Sequence, residues 1–179
     1  MNKELAPEMG IVRNEDGFNV LGRIKAEIYR AGKLIDTLFT ENVITTVGLQ
    51  YVIDASFGVV VGGSSWYVVP LKAGTPAESW DSGDLGAGPG NEFLNYSEAT
   101  RPAWTGVRTG ETITNSVAKA KITIDTDTQT LTGAGLTTQS GKGSQVAMLF
   151  AAGNFAASRS GLMTNDEVFL TYEITGQNS

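Results

Sequence analysis

From Phe18 onward the chain alternates. Phe18, Val20, Ile24, Ala26 and Ile28 fall on one parity, Asn19, Arg23, Lys25 and Glu27 on the other. Successive side chains of a strand point to opposite faces, so this spacing predicts a half-buried β-strand. Ala31-Gly32-Lys33 supplies a tight turn, because glycine accepts positive φ without steric cost, and residues 34–41 return as the second strand of a hairpin. Between Thr45 and Phe57 the apolar spacing changes from two to between three and four. Leu49, Val52, Ile53 and Phe57 then share one helical face, Thr45 or Thr46 caps its start and Gly58 ends it. Lying between the hairpin and a further strand at Trp66–Leu71, this helix is expected to cover one end of a sheet.

The second half is β in pattern. Ala118, Ala120, Ile122 and Ile124 alternate with Lys119, Lys121 and Thr123, and Asp125-Thr126-Asp127 turns the chain into a strand over 130–138. Residues 139–144 form a second turn and 145–150 a strand. Val168, Leu170, Tyr172 and Ile174 alternate after the turn Thr164-Asn165-Asp166. With short strands at 104–109 and 111–114, the pattern gives about eight strands with turn signals at roughly 8–12-residue spacing. The expected fold is therefore mainly β: an antiparallel β-sandwich, a jelly roll being one form of it, with one short helix. Parallel α/β folds are disfavoured because one helix cannot supply their crossovers.

Two stretches lack this order. Residues 1–16 are polar, contain Pro7 and Gly10 and show neither periodicity, so they read as a flexible, extended N-terminal arm that orders only against something else. Residues 17–179 then form a single β-sandwich domain. Within it, 72–94 carries Gly74, Pro76, Gly83, Gly86, Gly88, Pro89 and Gly90 beside Asp81 and Asp84. It reads as a long glycine-rich loop, functional or mobile, with no packed core of its own.

Composition narrows the function classes. At 179 residues and 41% apolar, the chain is long enough for one core. It has no cysteine, which excludes disulfides, thiolate catalysis and sulfur-ligated metals. It has no histidine, the commonest metal ligand and the side chain that titrates nearest neutrality. No enzymatic activity and no cofactor are expected. Lys and Arg total 13 against 19 Asp and Glu, for a net charge of −6, and the basic residues are spread thinly. A nucleic-acid partner would require a clustered basic face, so protein is the expected partner. The acidic N-terminus has no apolar core of a secretory signal, and no apolar run approaches a membrane span, so synthesis in a cytoplasm and no membrane partner are expected.

Motifs that suggest chemistry have simpler readings. Ser116-Val117-Ala118-Lys119 has the spacing of a serine acyl enzyme but precedes a strand, where the two side chains are not juxtaposed. The stretch from Gly135 to Gly141-Lys142 resembles a phosphate loop, yet it has one residue too many and Gly143 stands where Ser or Thr should hold magnesium. Gly86-Ala87-Gly88-Pro89-Gly90 lacks the strand and helix of a dinucleotide site. Asp81 with Asp84, and Asp125 with Asp127, read as turn formers before calcium ligands. Asn95-Tyr96-Ser97 fits a glycosylation sequon by coincidence, given no secretion signal. Pro102 pushes Arg101 toward an extended conformation and cannot donate to a ladder, so Arg101-Pro102-Ala103-Trp104 is a strand start or an edge. Tyr96 and Trp104 read as core residues or interface anchors.

Several strings together carry a resemblance: Trp66-Tyr67-Val68, residues 96–104 (Tyr-Ser-Glu-Ala-Thr-Arg-Pro-Ala-Trp), residues 118–124, Gly133-Ala134-Gly135-Leu136 and Leu149-Phe150-Ala151-Ala152. Over roughly residues 47–175 the chain resembles small virion proteins of tailed bacteriophages. That resemblance implies a structural component of the particle, first of all a capsid decoration or cement protein on the capsid surface of the virion. Its expected partners are the major capsid protein and neighbouring copies of itself in a small homo-oligomer, dimer or trimer. The expected contact residues are Leu5, Pro7, Met9 and Ile11 of the arm, Trp80, Leu85 and Phe93 of the loop, and Tyr96, Arg101 and Trp104 after it. A tail or fibre component, or a carbohydrate-binding host-recognition module stacking sugars on Trp66, Trp80 or Trp104, are the alternatives.

Overall fold

A computed structural model of the protein describes residues 18–59, 65–86 and 91–178. The arm at 1–16, with Leu5, Pro7, Met9 and Ile11, lies outside the described residues, as do Gly88, Pro89 and Gly90.

The elements, in chain order, are β1 (Phe18–Arg30), β2 (Lys33–Glu41), β3 (Val43–Ile44), α1 (Thr46–Ser56), β4 (Trp66–Leu71), α2 (Ser82–Leu85), β5 (Ala103–Trp104), β6 (Val107–Thr109), β7 (Thr112–Thr114), β8 (Ala120–Thr123), β9 (Gln129–Thr137), β10 (Leu149–Leu162) and β11 (Glu167–Asn178). They form two antiparallel sheets. In sheet A the order is β2-β1-β11-β7-β6, with β8 also pairing β11; in sheet B it is β3-β10-β9-β4-β5. Between them lies a core that includes Ile24, Ile28, Val68, Ile122, Leu136, Leu170 and Tyr172, all buried. This is the antiparallel β-sandwich that the alternation predicts.

The first hairpin is closed by Ala31 (φ 49°) and Gly32 (φ 74°), the pair of positive φ values that matches the right-handed twist of two joined strands. Four crossings link the sheets: β2 to β3, β5 to β6, β8 to β9 and β10 to β11. At Asn42 the chain passes from β2 in sheet A to β3 in sheet B, and at Thr105-Gly106 it passes back from β5 to β6. Asn42 is fully buried. Its N–H donates to the Gly22 carbonyl at 3.1 Å and its side-chain amide to the Tyr172 hydroxyl. A side chain at Gly22 would collide with Asn42, since a Cβ there would lie 1.8 Å from its Oδ1.

Four expectations need correction. First, the described residues hold eleven strands, because the irregular stretch 103–114 splits into three short ones and β3 was hidden beyond the bend at Asn42. Second, β10 is a 14-residue strand starting at Leu149, and no strand occupies 145–148. Residues 149–153 are buried on both faces, so they show no alternation, and the Ala, Gly and Ser that follow give no apolar signal.

Third, α1 does not bury the face that its apolar spacing suggested. Gly48 rests on the Phe150 backbone, where a Cβ would lie 2.2 Å from the carbonyl oxygen, and Leu49 and Val52 pack beside it. Ile53 and Phe57 stand about 140° and 180° round the helix from that contact, and Phe57 is 81% exposed.

Fourth, the described parts of the loop at 72–94 are packed. Leu85 and Phe93 are buried, and Leu85 joins Val69, Leu71, Leu149 and Ala152 in a second apolar cluster covered by Trp80. Gly74 (φ +85°) lies where a Cβ would be 2.7 Å from Trp80 and 2.6 Å from Asn91. Its glycine permits close approach, where the sequence pattern had suggested openness.

Candidate functional site: a loop platform along the β4 edge

Residues 91–104 run back alongside β4. Lys72 N–H donates to the Asn91 carbonyl at 2.8 Å, Phe93 N–H to Pro70 at 2.9 Å and Val68 N–H to Pro102 at 3.0 Å, before β5 pairs Ala103 with Tyr67 and Trp104 with Trp66. Pro102, unable to donate, thus sits at the edge of sheet B. Between these anchor points the chain reaches the end of β8, where Ser97 N–H donates to the Thr123 carbonyl at 2.9 Å, and Arg101 is buried.

The Arg101 guanidinium and the Glu92 carboxylate are both 0% exposed and meet side by side, Nε to Oε1 at 2.8 Å and Nη2 to Oε2 at 2.7 Å. Arg101 also donates to the Gln139 carbonyl at 2.9 Å and the Ser144 carbonyl at 3.1 Å, while Glu92 accepts the Gly143 N–H at 2.8 Å. The Arg101 N–H adds a bond to the Ser140 carbonyl at 2.7 Å. A planar guanidinium suits such a fork, and a charge so buried needs this many partners. The pair ties the turn 139–144 to the segment before β5.

Lys142 fastens the same turn from outside. Its ammonium donates to the Tyr96 and Glu98 carbonyls at 2.6 and 3.1 Å and lies 3.7 Å from the centre of the Tyr96 ring, a cation–π contact. Tyr96 stacks on Phe93 at 6.4 Å. Burial drives its phenol well above the usual range, and its hydroxyl has no hydrogen-bond partner.

The turn is joined to the loop of α2 as well. Ser82 Oγ donates to the Gln145 carbonyl, and Asp81 and Asp84 form a capping box at the start of α2, Asp81 receiving the Gly83 N–H at 2.6 Å and Asp84 the Asp81 N–H at 2.9 Å. These two carboxylates are therefore engaged with backbone. Asp127 likewise accepts the Thr164 N–H at 2.7 Å, which holds its carboxyl below the usual range. The result is one continuous platform of three loops, 72–86, 91–102 and 139–148, with Val146 at its surface, 84% exposed.

Of the candidate residues in the described part, Leu85, Phe93, Tyr96 and Arg101 are buried inside the chain. They build the platform from beneath and present no side chain to a partner. Trp80 is half-buried against the second cluster. Trp104 packs edge-on against Tyr172 at 6.4 Å and donates its indole N–H to the Tyr172 carbonyl at 3.1 Å. Trp66 is wedged between Tyr51 and Phe150. Ser116 lies in a turn, and Lys119 pairs with Glu27, whose carboxyl is held low by Lys119 and then Lys25.

Sequence reasoning missed Glu92 and Lys142. Glu92 had a signal: it is a charge directly before the apolar pair Phe93-Leu94. Compared with family models, with characterised proteins and with solved structures, the chain matches none.

Proposed function

We propose that this chain is a structural protein of a tailed-bacteriophage particle, a decoration or cement protein that docks on the capsid shell. The observation that carries the reading is the Arg101–Glu92 pair, whose remaining hydrogen bonds all go to loop backbone. A buried ion pair directed at holding loops in place suits a protein that presents a fixed surface. The resemblance along residues 47–175 supplies the kind of particle. Rigid loops lose little conformational entropy on docking, so a modest area can bind usefully when repeated over a shell.

In this reading the contact falls on exposed parts of the platform, around Val146, Lys72 and residues 77–79, and the buried candidates act by supporting it. The partners are the major capsid protein and neighbouring copies in a small symmetric oligomer, and each bound copy stabilises the assembled shell by mass action.

The test is to add purified protein to shells that lack it, count bound copies and locate them by imaging. Val146→Asp should lower occupancy by about tenfold or more while leaving urea unfolding unchanged. Labelling of tails in place of heads would transfer the reading to a tail component, and binding to neither would sink it.

A further inference from the structure

β3 pairs antiparallel with β10 through Val43 with Ala152 and Ile44 with Ala151. Only Asn42 separates β3 from β2, so β2 and β10 leave this short ladder side by side. Gly153 still lies against β2, where a Cβ would be 2.7 Å from the Glu41 carbonyl oxygen. At the far end Arg159 Nη1 meets Asp36 Oδ2 at 3.4 Å. Asp36 precedes Val43 by as many residues as Arg159 follows Ala152. The ion pair therefore falls on the same antiparallel register as the ladder.

Between these two points the ladder is absent. Among the described residues β2 pairs with β1 alone. On the other flank of β10, the register with β9 jumps from Asn154 opposite Gly133 to Arg159 opposite Leu131, so residues 155–158 bulge away from β9 with no partner there. An open groove of about 440 Å³ separates the two strands, lined by residues 36–39 and 155–160. On the shared register Thr37 stands opposite Ser158, Leu38 opposite Ala157 and Phe39 opposite Ala156. The β10 residues here are small and exposed, and Arg159 Nε is buried with no partner.

We propose that β2 and β10 form an unzipped antiparallel ladder, and that the chain exchanges between this open seam and a closed one in which residues 36–40 pair with 155–159. Unpaired strand edges are costly and prone to foreign pairing, which favours closure. A strand inserted from another molecule is a poorer solution. Because β2 and β10 are antiparallel, an intruder would have to run parallel to one of them, whereas the two edges already match each other directly. Closure would make the hairpin of sheet A continuous with sheet B and turn one side of the sandwich into a barrel wall. The inference is independent of the docking reading.

The chain has no cysteine, so paired cysteines report the seam cleanly. Thr37→Cys with Ser158→Cys places the two thiols opposite each other in the closed register; Thr37→Cys with Ala156→Cys offsets them by two residues. Under mild oxidation the opposed pair should close an intrachain disulfide about tenfold faster than the offset pair. Equal rates, or no disulfide in either, would overturn the proposal. Hydrogen exchange on the unmodified protein gives the second reading. On this register the amides of Ala156 and Ser158 face β2 and should exchange about tenfold or more slowly than that of Val146, and exchange at the Val146 rate would equally overturn it.

Discussion

Two arginine–carboxylate pairs, Arg101 with Glu92 and Arg159 with Asp36, use the same groups to different ends. The first is wholly buried, bonded side by side, with three further loop contacts. The second is about 30% exposed on both sides, meets at 3.4 Å and leaves Arg159 Nε without a partner. Water explains the contrast. Removing either partner of a buried pair strands a charge where nothing can solvate it, whereas solvent screens and replaces an exposed one. A buried pair fixes a single arrangement, and an exposed one permits a seam to open and close. Arg30 with Asp166 lies between, its guanidinium 43% exposed and its carboxylate 1%.

The comparison breaks most visibly at Arg101. Arg101→Met should cost about 3–5 kcal/mol in urea unfolding, and Arg101→Met with Glu92→Leu should recover most of it. A double variant as unstable as the single one would mean that the pair's hydrogen bonds to the loops, more than its charges, carry the effect.

Asp166 sharpens the middle of the series. The hydrogen bond from Arg30, and with it the Met163 N–H, holds its carboxyl below the usual range against the opposing effect of burial. A depressed folded-state pKa gives stability that is present above the unfolded carboxylate value and lost as pH falls through the folded one. Asp166→Asn should therefore cost about 1–3 kcal/mol at neutral pH and flatten the loss of stability below about pH 4. An unchanged acid limb would assign that loss to other carboxylates.

At the small end, Arg159→Ala should cost less than about 1 kcal/mol, and the difference should vanish in about 1 M salt. A loss as large as that of Arg101→Met would show that exposure does not rank these pairs.

How far each region could be read from the sequence follows the same division between wet and dry. β1 and β11 were legible because one face meets solvent, so Ile24, Ala26 and Ile28 alternate with charges. β10 was not, because residues 149–153 are dry on both faces and small residues continue it. The glycines of 72–86 were misread because glycine marks open chain and close approach alike, and only the position of Trp80 against Gly74 distinguishes them. The proline after Arg101 correctly signalled an edge. The role of Arg101 itself was hidden because its partners are Glu92, nine residues back, and the carbonyls of Gln139 and Ser144, 38 and 43 residues ahead.

The pairing of β1 with β11 runs from Phe18 opposite Asn178 to Tyr29 opposite Glu167. A chain made in order must therefore hold the β1–β2 hairpin incomplete, its apolar face uncovered, until β11, more than a hundred residues further on, has been synthesised. Joining such distant segments carries a large closure entropy, which places folding on the slow, millisecond-to-second scale of non-local β proteins. During that wait the hairpin is the part of the nascent protein most exposed to aggregation, and it would be the natural first contact for a chaperone.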